Sequence, residues 1–324
     1  MKTLSRRLFA SALAALCTSA WPQGTAWPTR PIRLLIGFPP GSVQDLSARA
    51  ISDPLSRMLG QPVIVENKSG ASGTIAADLV AKSTDLHTFG VMNNSQLTIA
   101  RMLNPRVAYD PERDLAPIAL IGTTPMVLVV SAAATGNTPA QWLAWLREQG
   151  DKASYGSPGI GTPGHLGMEL IKSRSGIHAV HVPYQGNPQI ITAMVGNQLQ
   201  AALLPPGLAL QQVHSGKLKA IGVTADHRSV LASDLPTLRE AGLPDADVEL
   251  WTAMAGPASL PPAIREKLAT AVVETVKSDE TRQRLIAVGW QPSPSTAEGL
   301  RLRIGSDMKT FGGIITARGI RAES

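Results

Sequence analysis

The stretch Ile32-Arg-Leu-Leu-Ile-Gly-Phe38, followed by the loop Pro39-Pro-Gly-Ser42 and an amphipathic run from Val43 to Leu59, decides the fold class of this chain. A short apolar run bounded by proline and glycine is typical of a buried strand, and apolar side chains at helical spacing indicate a helix. The same order recurs in residues 153–173, where a glycine-rich loop at 156–164 joins strand to helix. Repeated units of this kind predict an α/β fold with parallel sheets.

The remaining chain continues the alternation. Pro54 is expected to kink the first helix or to split it after Ser52, because proline removes a helical hydrogen bond. The Gly/Thr/Pro segment 122–125 separates two predicted strands and is a candidate crossing between lobes. Further strands are predicted at 62–66, 88–92, 118–121, 126–130, 179–182, 199–204, 219–224 and 249–256, and helices at 74–82, 139–149, 188–195, 234–241, 262–277, 279–288 and 296–318.

The last third of the chain contains too few predicted strands for a sheet of its own. We therefore expect it to pack back on the first part, which gives two lobes. Lobe one comprises residues 27–124 and 225–324, and lobe two comprises residues 125–224.

Composition excludes several classes of function. The chain has 324 residues, of which 44% are hydrophobic and 17% charged, as in ordinary globular proteins. Aromatic residues make up only 4%, so platforms for base stacking are not expected. The formal net charge is +6, of which Lys2, Arg6 and Arg7 supply three. The remaining small positive charge does not favour nucleic acid as a partner and is compatible with an anionic ligand.

The first 20 residues resemble an export signal. A basic segment precedes the apolar or small stretch Leu8 to Ala20, and Thr18-Ser-Ala20 offers a cleavage site, with cleavage as late as residue 26 as an alternative. Ser5-Arg-Arg-Leu-Phe9 also resembles a twin-arginine signal. Cys17 is the single cysteine, so the mature chain is expected to have no thiol and no disulfide. These features predict a periplasmic protein that is not embedded in the membrane.

The second glycine loop imitates two nucleotide motifs. Gly159-Ile-Gly161-Thr-Pro-Gly164 has the spacing of a dinucleotide fingerprint, but the next strand ends in Val-Pro-Tyr-Gln185 without the expected acid. The loop also lacks the lysine of a P-loop before Thr162. A nucleotide-using enzyme stays open as an alternative. The other interpretation is an uncharged cradle in which backbone N–H groups at a helix N-terminus hold a small anion.

Other motifs give no catalytic or metal centre. Ser42 and Asp45 have the spacing of a capping box, which is a structural role. His178 and His181 are three apart on a predicted strand and would face opposite sides, while His165 and Glu169 could share a helix face. Gly70-Ala-Ser72-Gly73 is one residue short of a nucleophile elbow. We expect no catalysis, no metal and no cofactor; Trp251 is either a core residue or a lid on a ligand.

Several segments together resemble the solute receptors of tripartite tricarboxylate transporters, also called the Bug family of periplasmic binding proteins. The resemblance covers the chain from Trp27 to its end. It rests on Trp27-Pro-Thr-Arg-Pro-Ile-Arg33, Phe38-Pro-Pro-Gly-Ser-Val-Gln-Asp45, Gly60-Gln-Pro-Val-Ile-Val-Glu-Asn67, Tyr109-Asp-Pro, Leu115-Ala-Pro-Ile-Ala119, Gly161-Thr-Pro-Gly-His-Leu166, His181-Val-Pro-Tyr-Gln-Gly186, Ser215-Gly-Lys-Leu-Lys-Ala220, Leu235-Pro-Thr-Leu-Arg-Glu-Ala-Gly242 and Pro257-Ala-Ser-Leu-Pro-Pro262.

The resemblance implies a two-lobed, flytrap-like fold of type II, in which a small carboxylate is held in the cleft mainly by backbone amides and waters. By position it implies ligand-binding loops at 40–45 and 93–96 in lobe one, and at 159–165 and 184–187 in lobe two. The candidate ligand-binding residues are Pro40, Gly41, Ser42, Asp45, Asn93, Ser95, Gly161, Thr162, His165, Tyr184 and Gly186.

The chain departs from the family pattern at several positions. Ser42 replaces a common glycine, Pro54 interrupts a helix, and Asp85-Leu-His-Thr88 replaces a more usual Asp-Gly-Tyr-Thr. Leu203-Leu-Pro-Pro206 stands where an acid is common, which makes an amino-acid ligand less favoured. The sequence thus predicts a monomeric receptor that delivers a carboxylate to transporter membrane subunits, with a nucleotide-using enzyme or a periplasmic sensor subunit as alternatives.

Overall fold

The computed structural model describes residues 27–321, so the predicted signal segment and Cys17 lie outside the described residues. The strands are β1 (Ile32–Ile36), β2 (Val63–Asn67), β3 (Thr88–Asn93), β4 (Leu115–Pro125), β5 (Val127–Ser131), β6 (Ser154–Ser157), β7 (Val180–Pro183), β8 (Ala201–Leu204), β9 (Leu218–Val223), β10 (Glu249–Pro257) and β11 (Gln291–Ser295).

The helices follow most of the predicted ranges. They are α1 (Val43–Leu59), α2 (Thr74–Ala81), α3 (Ala100–Leu103), α4 (Pro139–Gln149), α5 (Pro163–Ser175), α6 (Asn187–Val195), α7 (Pro206–His214), α8 (Pro262–Lys277), α9 (Asp279–Ala287) and α10 (Ala297–Arg318). Within the described residues, no helix is both long enough and apolar enough to cross a bilayer.

The strands form two sheets, one in each lobe. The first sheet has the order β11-β4-β10-β3-β1-β2, and the second has the order β7-β6-β8-β5-β9. β1 pairs in parallel with β2 and β3, and β6 pairs in parallel with β7 and β8. The expectation of parallel sheets is wrong for the rest, because β10 is antiparallel to β3 and β4, and β5 is antiparallel to β8 and β9.

The parallel units explain the position of the two glycine loops. Ile32, Leu34 and Ile36 of β1 are fully buried, and α1 covers this strand with Ile51 and Leu55. The chain therefore leaves the buried end of β1 and turns directly into α1. In an open α/β sheet, ligands bind at these carboxyl ends of strands, where the following helices begin.

The chain crosses between the sheets at three points that Thr224 ties together. The Thr224 N–H donates to the Met126 carbonyl at 2.8 Å, and its hydroxyl accepts from the Met126 N–H at 2.8 Å. The hydroxyl also donates to the Val248 carbonyl at 2.6 Å, and the Val248 N–H returns a bond of 3.1 Å to the Thr224 carbonyl. Segment 225–248 lies against β9, since the Leu238 N–H donates to the Val223 carbonyl.

Several local predictions are wrong. α1 runs without a break from Val43 to Leu59 although Pro54 lies inside it, because Pro54 is buried against the lobe-one core and packing outweighs the lost hydrogen bond. Residues 122–125 are part of β4 and do not interrupt it. No helix forms at 234–241, where the chain makes turns and a β-bridge from Thr237 to Val223. α7, β11 and the helical run 95–103 were not predicted.

Candidate functional site

The first loop is held from behind by the carboxylate of Asp45. Ser42 is the N-cap of α1, and its hydroxyl accepts from the Asp45 N–H, as the capping-box spacing predicts. The Asp45 side chain reaches past Ser42 and accepts from the Gly41 N–H at 3.0 Å. Arg49 and Asn67 donate to the same carboxylate at 3.0 Å. The loop is therefore fixed in place before any ligand arrives.

These donors decide the ionisation of Asp45, whose side chain is 3% exposed. Burial alone would raise its pKa, but hydrogen bonds from Arg49, the Gly41 N–H and Asn67 outweigh burial and lower the pKa below the usual value. Asp45 is thus a buried, ionised brace, and the Gly41 N–H is already engaged by it.

The second loop is folded around the hydroxyl groups of Ser157 and Thr162. Thr162 is the N-cap of α5; its hydroxyl accepts from the His165 N–H and donates to the Gly159 carbonyl at 2.8 Å. The Gly159 N–H donates to Ser157 Oγ at 3.2 Å, and the Gly161 N–H donates to His165 Nδ1 at 3.2 Å. The side chains that hold this loop are all uncharged, or neutral in the case of His165.

Two stacked histidines lie behind the second loop. The ring centroids of His165 and His181 are 4.2 Å apart, and Tyr155 stacks on His181 at 5.0 Å. Burial lowers the pKa of His165 to about 4 and, together with its neighbour His165, lowers that of His181 to about 3. Both imidazoles are therefore neutral near pH 7, and His165 Nδ1 is free to accept the Gly161 N–H.

Glycines allow the two lobes to meet across the cleft. A Cβ atom on Gly186 would lie 3.0 Å from Cδ of Pro39, and one on Gly159 would lie 2.5 Å from Oγ of Ser72. The Ser72 hydroxyl donates to the Ile160 carbonyl at 2.8 Å, which is a direct bond between the lobes. The cleft is therefore described here in a closed arrangement.

A cavity of about 20 Å³ lies where the N-termini of several helices converge from both lobes. Its polar lining residues are Gln44 of α1, Asn93, Thr162 and Asn187 of α6. Gln44 is 3% exposed and Asn187 is 4% exposed. Among residues 27–321, the side-chain amides of these two residues make no hydrogen bond; Gln44 uses only its backbone, as when its carbonyl accepts from Ser47.

A second cavity, of about 360 Å³, adjoins the first, because Phe38 and Pro158 line both. Its walls combine apolar side chains with the turn 70–74 and the loop 159–161, and none of its lining residues is charged. Ser95 lines this cavity and is 2% exposed, yet its hydroxyl has no hydrogen-bond partner. The closed cleft thus contains uncharged polar groups that await a partner.

The structure distributes the predicted residues over three positions. Asn93 and Thr162 line the small cavity, and Ser95, Gly161 and Tyr184 line the large one. Pro40, Gly41, Ser42, Asp45, His165 and Gly186 line neither; they shape or brace the loops, and their role in binding stays a prediction.

Sequence reasoning missed Gln44, Phe38 and Ser72 as lining residues. The position of Gln44 directly after a helix N-terminus was the available signal. Ser72 had a signal in its Gly-Ala-Ser-Gly context, which predicts a turn.

The remaining candidates lie away from these cavities. Trp251 is fully buried in the lobe-one core, where its indole N–H donates to Asp307 at 2.6 Å, and it lines neither cavity. His181 packs inward whereas His178 is exposed, and no cluster of metal-binding side chains occurs in the described part of the chain. A larger cavity of about 730 Å³ lies between β4 and α10, beside the crossing residue Thr224.

Comparison with known proteins identifies the family. Residues 47–320 match the tripartite tricarboxylate transporter family receptor profile. A protein in the tcbD-tcbE intergenic region of Pseudomonas sp. is 33% identical, over 91% of this chain and 89% of its own length. The structure of R. palustris Rpa4515 with adipate has a TM-score of 0.87 at 27% identity, covering 91% of this chain and 99% of that one. The periplasmic binding protein BugD has a TM-score of 0.86 at 26% identity, with the same coverage. The chain therefore belongs to the tripartite tricarboxylate transporter receptor family, as its sequence motifs predicted.

Proposed function

We propose that this chain is a periplasmic receptor that captures a small organic carboxylate and passes it to the membrane subunits of a tripartite transporter. It acts as a monomer and reaches the periplasm through its N-terminal signal, by the Sec or the twin-arginine route. The lobes have the predicted ranges, with Thr224 at the hinge. Because the family is one of receptors and not of enzymes, the nucleotide-using alternative is wrong.

The observation that carries the proposal is the pair of buried amides in the small cavity. Gln44 and Asn187 approach it from opposite lobes, each at the first turn of a helix, and neither has a partner among the described residues. Buried polar groups are normally satisfied, so these amides and the adjacent helix N-termini indicate a bound acceptor. Adipate, present in the related R. palustris structure, has such acceptor oxygens.

The energetics are adequate without any charged partner. Hydrogen bonds to a charged acceptor contribute roughly 1.5–3 kcal/mol each, so a few of them with burial of the ligand can reach micromolar affinity, about −8 kcal/mol. At about 20 Å³ the small cavity holds only about one water as it stands, so the ligand must enter through an opened cleft.

The test is a thermal-shift screen of the mature protein against mono-, di- and tricarboxylates and aromatic acids, followed by titration calorimetry. We expect at least one carboxylate to raise the melting temperature, whereas NAD and ATP do not. Gln44→Ala and Asn187→Ala should each weaken that carboxylate at least tenfold, while Gln198→Ala, an exposed amide in lobe two, should not. A screen in which no carboxylate stabilises the protein would contradict the proposal.

A further inference from the structure

The hydroxyl of Ser95 is the strongest unassigned feature of the large cavity. Ser95 begins the π-helical turn Ser95–Ile99, and its N–H donates to Asn93 Oδ1 at 2.9 Å, which fixes the residue in place. Its side chain is buried and without a partner, although the residue lines a cavity of about 360 Å³. Burying an unpaired hydroxyl costs stability, so the position is better explained by a bond that forms when the cavity is filled.

The opposite wall of the same cavity also presents donors. Gly70, Ala71, Ser72 and Gly73 all have positive φ, and Ala71 and Ser72 are not glycines. Strained backbone of this kind is concentrated at ligand sites. The turn leads into α2, whose N-cap residue Gly73 provides no side-chain cap. The first N–H groups of α2 therefore point to the same cavity as Ser95, which Thr74 also lines.

The two cavities are continuous along the cleft, since they share Phe38 and Pro158. A ligand whose carboxylate lies between Gln44 and Asn187 would extend past these two apolar side chains into the large cavity. Its far end would then meet Ser95 and the turn 70–74.

We propose that Ser95 binds an acceptor oxygen at the far end of the ligand, so that this receptor selects organic acids with oxygen at both ends of an apolar spacer. The inference rests on the proposed function. Simple monoacids, which have no acceptor at the far end, are the ligands that Ser95 discriminates against.

The test compares straight-chain diacids from succinate to pimelate with the monoacid of the same carbon number, and with the corresponding ω-hydroxy acids. At the preferred length, calorimetry should show the diacid or the hydroxy acid binding at least tenfold more tightly than the monoacid. Comparing the diacid with the hydroxy acid tells whether the far acceptor is a carboxylate or a hydroxyl.

Two variants separate a ligand contact from a structural effect. Ser95→Ala should lower the preference for the two-ended acid at least fivefold, leave monoacid binding unchanged, and melt at the same or a higher temperature without ligand. Ser72→Ala removes a hydroxyl from the same cavity that is already bonded to Ile160, so it should weaken both kinds of acid by the same factor. Equal binding of monoacids and two-ended acids, or a preference that survives in Ser95→Ala, would overturn the inference while the proposed function stands. Failure of every acid to bind would overturn the proposed function itself.

Discussion

The two glycine loops have the same task but are braced by different chemistry. The lobe-one loop is held by Asp45, a buried ionised carboxylate with an arginine partner. The lobe-two loop is held by His165, Ser157 and Thr162, which are neutral near pH 7. In both lobes the side chains behind the loop fix its backbone while no charged side chain lines the cavities. The comparison teaches that an uncharged binding surface can depend on titratable residues placed one layer behind it.

Loss of the lobe-one brace should have the largest effect. Asp45→Ala leaves the Gly41 N–H and the Asn67 amide without their acceptor, and hydrogen bonds to a charged group contribute about 1.5–3 kcal/mol each, so we expect a loss of about 3 kcal/mol. Urea unfolding at pH 7 measures it. Glu298→Ala, which breaks an exposed helical ion pair with Arg301, is the control and should leave the unfolding free energy nearly unchanged. Equal effects of the two variants would show that Asp45 is not a brace.

Acid should weaken the lobe-two brace first. The pKa of His165 is about 4 in the folded protein, below the usual 6.5, so the unfolded chain binds more protons between these values. The free energy of unfolding should therefore fall as the pH drops from 6.5 to about 4, by up to about 1.4 kcal/mol per pH unit for each such histidine. His181 contributes with the same sign.

His165→Asn, which keeps an acceptor near the position of Nδ1, should flatten this slope in urea titrations at a series of pH values. Asp45, whose pKa is lowered, adds a loss only as the pH falls below about 3.8, the usual value of a free aspartate. An unfolding free energy that is constant from pH 6.5 to 4.5 would contradict the neutral-histidine brace.

Closure depends on glycine at the lobe-two loop. Gly161 has φ of +77° and faces Leu103 of lobe one, whereas Gly176, at the end of α5, has φ of +70° with nothing within 4 Å of a Cβ atom. Alanine at either position incurs the same backbone strain, but only Gly161→Ala also obstructs the cleft. We expect at least tenfold weaker binding, about 1.4 kcal/mol, for Gly161→Ala and unchanged binding for Gly176→Ala in calorimetry. Equal affinities would mean that the lobes do not close as described.

The two helix caps should show the smallest difference. Ser42→Ala and Thr162→Ala each remove an N-cap hydroxyl, which typically costs about 1 kcal/mol. Thr162 also donates to the Gly159 carbonyl, so Thr162→Ala should be the more costly of the two. Urea unfolding of both variants measures the difference; a larger cost for Ser42→Ala would reverse the comparison.

The sequence predicted the features of these loops that depend on local spacing. Ser42 and Thr162 were identifiable as caps because each stands directly before a helix. The acceptor role of His165 and the unpaired amide of Gln44 were not, since both depend on what the fold brings near them. Asp45 illustrates the limit: its capping role was predicted, but its side chain reaches Gly41 and is held by Asn67 from a different strand.

Proline misled the prediction of elements for a similar reason. β11 contains Pro292 and Pro294 and was missed, yet it is an edge strand, where a missing N–H costs little. Pro54 was expected to split α1, and burial in the core kept the helix whole. α7 begins directly at Pro206, a position where proline is tolerated and even favoured.

The central claim is that uncharged groups from both lobes hold the ligand's carboxylate. A crystal structure of the mature protein with a carboxylate taken from the screen tests it most directly. The account predicts a carboxylate group between the side-chain amides of Gln44 and Asn187, at the N-termini of α1 and α6, with the cleft closed. A ligand in the 730 Å³ cavity beside Thr224, or a carboxylate paired with an arginine or lysine, would contradict it.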